Sequence, residues 1–200
     1  MQNVLLSTTY FGPVQWYQKL HRADMVLMER WESFQKQTYR NRCLIATTQG
    51  IQALTVPVER NDVQYIKDIR ISDHGNWRHL HWNALKSAYG ESPFFEYYQD
   101  DFRPFFEQRW DYLLDFNETI REKICELIDI QPHVSYTDNY QREVEGEDFR
   151  TSINPKHPMP DPDFTLRPYY QVYQQKHGFQ PNLSVIDLLF NMGPESIFYL

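Results

Sequence analysis

Two short apolar runs at residues 4–8 and 24–29, with a Gly12-Pro13 turn and a helical stretch between them, constrain this chain more than any other feature. Val4, Leu5 and Leu6 read as a buried strand, and Gly12-Pro13 then turns the chain. Pro13 suits the first position of a helix reaching about Arg22, with Val14, Tyr17, Leu20 and His21 on its inner side. Met25 to Met28 form a second buried run. Strand, turn, short helix and strand make a βαβ unit, which predicts two parallel strands joined by a right-handed crossover.

The strand pattern continues to about residue 71. Residues 43–46 and 53–58 flank a turn at Gln49-Gly50 and read as a hairpin, with Pro57 at an edge or site rim because it cannot donate to a ladder. Residues 66–71 mix apolar and charged side chains and read as a half-exposed strand. The first 71 residues are thus expected to supply most of one sheet, which helices from 76 to 128 cover. Trp77, Leu80, His81, Ala84, Leu85 and Ala88 share one helical face ending near Gly90. Ser92-Pro93 restarts a short helix carrying Phe94, Phe95, Tyr97 and Tyr98. A long helix is expected from about 104 to 128, with Phe106, Trp110, Leu113, Ile120, Ile124 and Leu127 along its apolar stripe. Residues 137–164 are acidic and broken by Pro155, Pro158, Pro160 and Pro162, which predicts a mobile loop without long helices or strands, either a lid or a disordered insert. Short helices around 169–176 and 185–191 close a single α/β domain spanning 1–200, a small mixed sheet under a mostly helical middle and C-terminal part.

Composition narrows the function. With 41% apolar and 24% charged residues the chain folds into a soluble core. A formal net charge of -7 argues against nucleic-acid binding, which neutralises phosphates with a basic face. Two cysteines, Cys43 and Cys125, allow neither a disulfide framework nor a four-cysteine zinc site. His74, His79 and His81 are spaced so that they diverge on a helix, so no metal site is expected. No run approaches a membrane span and the start lacks a basic flank, which makes the cytoplasm the expected location.

Against that acidic background, the segment 33–43 concentrates Lys36, Arg40 and Arg42 between two strand-like runs. Arginine forks and a lysine point charge are the usual division of labour around phosphates, which predicts an anion site. Pairing with Glu29 or Glu32 is the competing explanation. In an extended strand Asn41 and Cys43 share one face, and Arg40 and Arg42 the other. His81 lies on the Trp77–Leu85 face, where partial burial keeps an imidazole neutral and suited to general-base work. A core histidine with one hydrogen bond fits the same spacing. Cys43 is a nucleophile candidate if its basic neighbours lower its pKa, and otherwise a small core residue. Asn117 interrupts an apolar stripe and requires a hydrogen-bond partner or a ligand. Asp187, three residues after Ser184, has capping-box spacing and reads as a helix cap.

Several stretches together resemble the WbqC-like family of bacterial proteins: Tyr10-Phe11-Gly12-Pro13, Tyr39-Arg40-Asn41-Arg42-Cys43, Leu54-Thr55-Val56-Pro57-Val58, Trp77 with His81, and Ser92-Pro93-Phe94-Phe95-Glu96-Tyr97-Tyr98. Asp115-Phe116-Asn117 and the run from Asn182 to Pro194 continue the pattern, which residues 137–164 fit least. The resemblance implies work on surface polysaccharide of the O-antigen type, attaching an acyl or amino-acid-derived group to an amino sugar carried on a nucleotide. On that reading Lys36, Arg40 and Arg42 hold the diphosphate, Tyr10, Tyr39 and Tyr97 line the sugar pocket with Asn41 and Asn117, His81 is the base and Cys43 a thioester nucleophile. The expected partner is a small phosphorylated ligand such as a nucleotide-sugar; neither a cofactor nor an oligomeric state is indicated. A nucleotidylyltransferase or ATP-dependent ligase is a second reading, since the Tyr10–Pro13 turn follows the first strand. The chain has Gln15-Trp16-Tyr17 where such enzymes need a His-x-Gly-His element. A non-catalytic binding or assembly protein is the third.

Overall fold

A computed structural model describes residues 3–59 and 65–200; the first two residues of the N-terminal start and a short piece of the strand-rich half lie outside the described residues. β1 (Asn3–Ser7), α1 (Val14–Arg22) and β2 (Met25–Glu29) form the expected βαβ unit. β1 and β2 are parallel and in register from Asn3 opposite Met25 to Ser7 opposite Glu29. Val4, Leu6, Val26 and Met28 point into the main core, where α1 adds Val14, Trp16, Tyr17 and Leu20. Pro13 precedes the helix, and its carbonyl accepts from the backbone N–H groups of Trp16 and Tyr17.

The fold is mixed α/β, but the first 71 residues do not complete its sheet. β3 (Arg42–Thr47) and β4 (Gly50–Thr55) form a separate antiparallel hairpin. The βαβ pair is extended instead by β5 (Val134–Tyr136), parallel to β2, and by β6 (Glu147–Asp148), parallel to β1. The four strands run in the order β5-β2-β1-β6. β6 comes from the acidic segment, which therefore takes part in the sheet. Residues 66–71 are also not a strand. A 3-10 turn at Ile66–Asp68 buries Ile66, Ile69 and Ile71, and Ile69 and Ile71 exchange backbone hydrogen bonds with Leu113 and Asp111.

That exchange explains the helical half. The expected helix from 104 to 128 is two helices, because the backbone near Asp111 to Leu113 is committed to the 69–71 segment. α2 (Trp77–Tyr89) is followed by α3 (Phe95–Glu107), with Pro104 inside it, and by α4 (Leu113–Ile128). α4 stops at Asp129, which takes the left-handed conformation with φ 61° and donates its N–H back to the last turn. Beyond a short α5 (Gln174–His177), α6 (Val185–Met192) is buried from Val185 to Asn191 and takes two polar side chains, Asp187 and Asn191, into the interior with its apolar ones. Phe190 on α6 packs edge-on against Phe95 and Phe102 of α3.

Gly193 ends α6 at φ 56°, and a Cβ there would lie 2.6 Å from ring atoms of Phe94. Gly193→Ala is expected to lower stability by about 2 to 4 kcal/mol, overpacking adding to left-handed strain. Gly178, at φ 71° with open space around it, is the control; its alanine variant should lose only about 1 kcal/mol. Urea denaturation of both proteins checks this, and equal losses would remove the Phe94 contact as the cause.

Candidate functional site

β1 delivers the chain to the carboxyl edge of the parallel sheet at Ser7, and Thr8, Thr9 and Tyr10 carry it onward. Open α/β sheets bind ligands outside this edge. The Tyr10 N–H donates to the Tyr39 carbonyl at 2.8 Å, which lays residues 39–41 beside the strand exit. The Tyr10 hydroxyl meets Nδ1 of His81 at 2.8 Å, and its ring stacks on Phe116 at 5.7 Å. His81 is only 6% exposed, with the Trp77 ring edge-on at 5.1 Å. Burial pulls its pKa down to about 4, opposed by the Thr55 backbone carbonyl. The ring is neutral at pH 7. A carbonyl on its other side fixes that side as the N–H, so Nδ1 is the acceptor and the Tyr10 hydroxyl the donor.

The segment 39–41 is gripped from three sides. Asn117 Nδ2 donates to the Arg40 carbonyl and Asn41 Nδ2 to the Val56 carbonyl, both at 2.8 Å. Asn117 thus has the partner its place in an apolar stripe demands. Asn41 Oδ1, Asn117 Oδ1 and the hydroxyl oxygen of Thr9 are buried without a hydrogen-bond partner among the described residues. Cys43 is buried on β3 near Tyr10 and Tyr39, whose pKa values are raised chiefly by burial and secondarily by Cys43. Its own thiol is pushed well above its ordinary value by burial. That direction is opposite to what a nucleophile needs, because the cations expected to lower it lie elsewhere.

Arg40 is buried and its guanidinium is committed to the protein. It forks onto Glu32, with Nε at 2.8 Å from Oε1 and Nη2 against Oε2, and donates from Nη2 to Ser7 Oγ at 2.8 Å and the Arg150 carbonyl at 3.3 Å. The pairing with Glu32 weighed as the alternative is the one formed, and inside the protein. Lys36 is exposed on the preceding loop, and Arg42 is half-buried with Nε on Thr55 Oγ1 at 3.0 Å. The three cations expected to share one anion therefore do not converge. Tyr97 is 75% exposed on α3, packed edge-on against Tyr98 and outside the cluster.

A second group of buried charges lies along the same sheet edge. Glu29, fully buried, accepts from Thr137 Oγ1, from the N–H groups of Trp31 and Gln141, and from Arg150 Nη1 at 3.1 Å. Arg150 also grips Asp148, whose pKa is lowered although burial pushes it up. On α1, Lys19 and Asp161 form a buried pair at 2.8 Å, with Gln15 on the second carboxylate oxygen. The acidic segment is thus tied to β2 and α1 through charged groups, where its composition alone suggested nothing to anchor it.

Asp187 is not a helix cap. Ser184 caps α6 with its own hydroxyl, and the Asp187 carboxylate accepts from the hydroxyls of Tyr89 at 2.9 Å and Tyr169 at 2.7 Å and from Gln171 at 2.9 Å. Burial raises its pKa to about 6 despite these donors.

The profile of the WbqC-like protein family matches residues 8–156 and 162–199. The chain belongs to that family. The WbqC-like match breaks only between 156 and 162, inside the segment expected to fit least, and covers the rest of it. An uncharacterized protein of Mycobacterium tuberculosis, Rv1507c, is 27% identical over 196 residues, covering 84% of this chain and 83% of its own length. No solved structure matches. Within this WbqC-like chain, Tyr10, Tyr39, Asn41, Cys43, His81 and Asn117 come together, whereas Lys36, Arg42 and Tyr97 stand apart. Thr9, Glu29, Glu32 and Arg150 were not read from the sequence as site residues. The ends of β1 and β2 were a usable signal for Thr9 and Glu29, since chemistry gathers at carboxyl edges of parallel strands. Among the described residues no helix is long and apolar enough to cross a membrane.

Proposed function

We propose that the protein is a transferase of surface-polysaccharide assembly, joining an acyl or amino-acid-derived group to the amine of a nucleotide-linked amino sugar. The supporting observation is a set of buried oxygens without partners among the described residues, Thr9 Oγ1, Asn41 Oδ1 and Asn117 Oδ1, on residues that adjoin Tyr10 or the 39–41 segment its backbone binds. Buried acceptors call for donors, and an amino sugar presents N–H and O–H groups. In this reading the amine nitrogen attacks the acyl carbonyl carbon and the leaving group departs with its electron pair. The ammonium proton passes to the Tyr10 oxygen as Tyr10 gives its own proton to His81 Nδ1. Arg42 and Lys36, at the surface, serve the phosphates in place of Arg40. The packed interior of the cluster means the ligand enters only when covering elements move. The nucleotidylyltransferase reading fits less well, because Tyr10 and Phe11 are fully buried in the turn a phosphate would occupy.

Calorimetry and single-turnover transfer assays, comparing nucleotide-linked amino sugars with their hydroxyl counterparts, test this. The amino form is expected to bind more tightly. Tyr10→Phe and His81→Asn should leave affinity within about threefold and reduce transfer by 10²-fold or more. Equal binding of amine and hydroxyl forms, or full transfer by His81→Asn, would defeat the reading. Saturable binding without turnover of any activated acyl donor would favour the binding-protein alternative, which the sealed cluster also suits.

A further inference from the structure

On a different face of α2 from His81, a cavity of about 460 Å³ opens toward α3. Its lining includes Arg78, His79, Trp82 and Lys86 from α2 and Arg103 and Glu107 from α3. We propose that this cleft binds a phosphorylated small molecule carrying a planar ring, of the nucleotide class, with phosphates on Arg78, Lys86 and Arg103 and the ring against Trp82.

Charge supplies the first argument. Three basic side chains line the cleft against Glu107, with Asp73 held on Arg78 at its margin, so even with both carboxylates counted the cleft is a local reversal of sign in a protein whose formal net charge is -7. Side-chain chemistry supplies the second. The Arg78 guanidinium lies over the Trp77 ring at 4.9 Å and reaches Asp73 at 2.6 Å, yet its Nε is buried without an acceptor among the described residues. An anion oxygen meets that need. His79 Nε2 is 2.8 Å from Asn83 Nδ2, which turns the imidazole's remaining N–H into a further donor. Trp82 is half-buried on Phe95 and Phe106, with centroids 6.0 and 5.6 Å away, so its indole is held rigid where it borders the cleft. A fixed aromatic wall beside convergent cations, in a cavity of this size, is the usual make-up of a small-ligand site.

The position of the cleft separates it from the cluster around His81. Trp77, His81, Leu85 and Ala88 face the core, whereas Arg78, His79 and Lys86 line the cleft and Trp82 packs between it and α3. The occupant is therefore a second ligand, distinct from the one His81 would act upon. Glu107 pairs with Arg103 on α3 and competes with any anion for that guanidinium.

Isothermal titration of the full chain with inorganic pyrophosphate, uridine and uridine diphosphate tests the proposal at low salt. Uridine diphosphate should bind more tightly than pyrophosphate, and uridine most weakly. The double variant Lys86→Gln/Arg103→Gln should lose at least tenfold in affinity for both phosphorylated probes, and Trp82→Leu should lose it for uridine diphosphate alone. Glu107→Gln should tighten pyrophosphate binding, because it frees Arg103; a purely structural role for the Arg103–Glu107 pair predicts no such gain. His81→Asn should leave all three affinities unchanged, so failure of the transferase reading does not imitate failure here. Unchanged affinity in Lys86→Gln/Arg103→Gln, whether or not Arg42→Gln lowers it, would overturn the site. Equal affinity for pyrophosphate and uridine diphosphate would overturn the ring contact.

Discussion

Glu32→Gln is expected to lower folding stability by about 3 to 5 kcal/mol, the cost of leaving a buried guanidinium without its countercharge. Arg40 and Glu32 are both buried, and the fork between them is completed by Ser7 Oγ and the Arg150 carbonyl. Removing the charge from one partner leaves the other in a medium that solvates it poorly. Replacing both with apolar residues of similar volume, as in Glu32→Leu/Arg40→Met, removes both desolvation penalties together. The double variant should therefore recover most of what Glu32→Gln loses. Urea denaturation at pH 7 of wild type, Glu32→Leu, Arg40→Met and Glu32→Leu/Arg40→Met measures the coupling, with Glu32→Gln run beside them. Losses that simply add would mean that the pair is solvated and contributes little. The cycle also bears on ligand binding, because an arginine whose donors are occupied by a carboxylate and two other protein oxygens has little left for phosphate.

The second large effect is a pair of opposed pH dependences. His81 titrates near pH 4 in the folded chain and near 6.5 in the unfolded one. Between those values the unfolded state binds the proton and the folded state does not, so stability falls as pH drops from about 6.5 to 4. A shift of that size corresponds to roughly 3 kcal/mol. Asp187 runs the other way. Its folded pKa, about 6, lies above the ordinary 3.8, so the folded state takes up the proton first and stability rises as pH drops from about 6 to 4. The two slopes largely cancel between pH 4 and 6. His81→Asn should make the protein gain stability relative to wild type on acidification, and Asp187→Asn should make it lose. Denaturation at pH 7, 6, 5 and 4.5 reads both, and parallel profiles for the three proteins would contradict the assignment.

Much of this fold was legible where a segment's own pattern decides its structure. Val4 to Met28 form a βαβ unit because apolar runs, a Gly-Pro turn and an amphipathic helix all agree. β5 and β6 were not legible, since Val134–Tyr136 and Glu147–Asp148 are too short to carry a period and are strands only because β2 and β1 offer them an edge. The division of the 104–128 helix depends on backbone partners at Ile69 and Ile71, some forty residues upstream, which no local pattern reveals. At the site, His81 and Asn117 stood out as polar groups on apolar helical faces, Asn41 belonged to the polar segment 33–43, and Tyr10 came in through the family resemblance. The fate of Arg40 did not stand out, because burial of the Glu32 pair is decided by Ser7 at the end of β1 and Arg150 in the turn after β6. Ser184 and Asp187 show the same limit, capping spacing being present while the carboxylate turns to Tyr89, Tyr169 and Gln171.

The late arrival of the outer strands has a consequence for synthesis. The central strands are complete once residue 29 has been made, but their flanking partners begin at Val134 and end at Asp148. At about 5 to 20 residues per second, on the order of 5 to 20 s separates the two events on the ribosome. Through that interval both margins of the β1–β2 pair lack their native neighbours and can template pairing between nascent chains. Elongation therefore competes with self-association while this protein is made, and the acidic segment, which supplies β6, is the part that ends the competition.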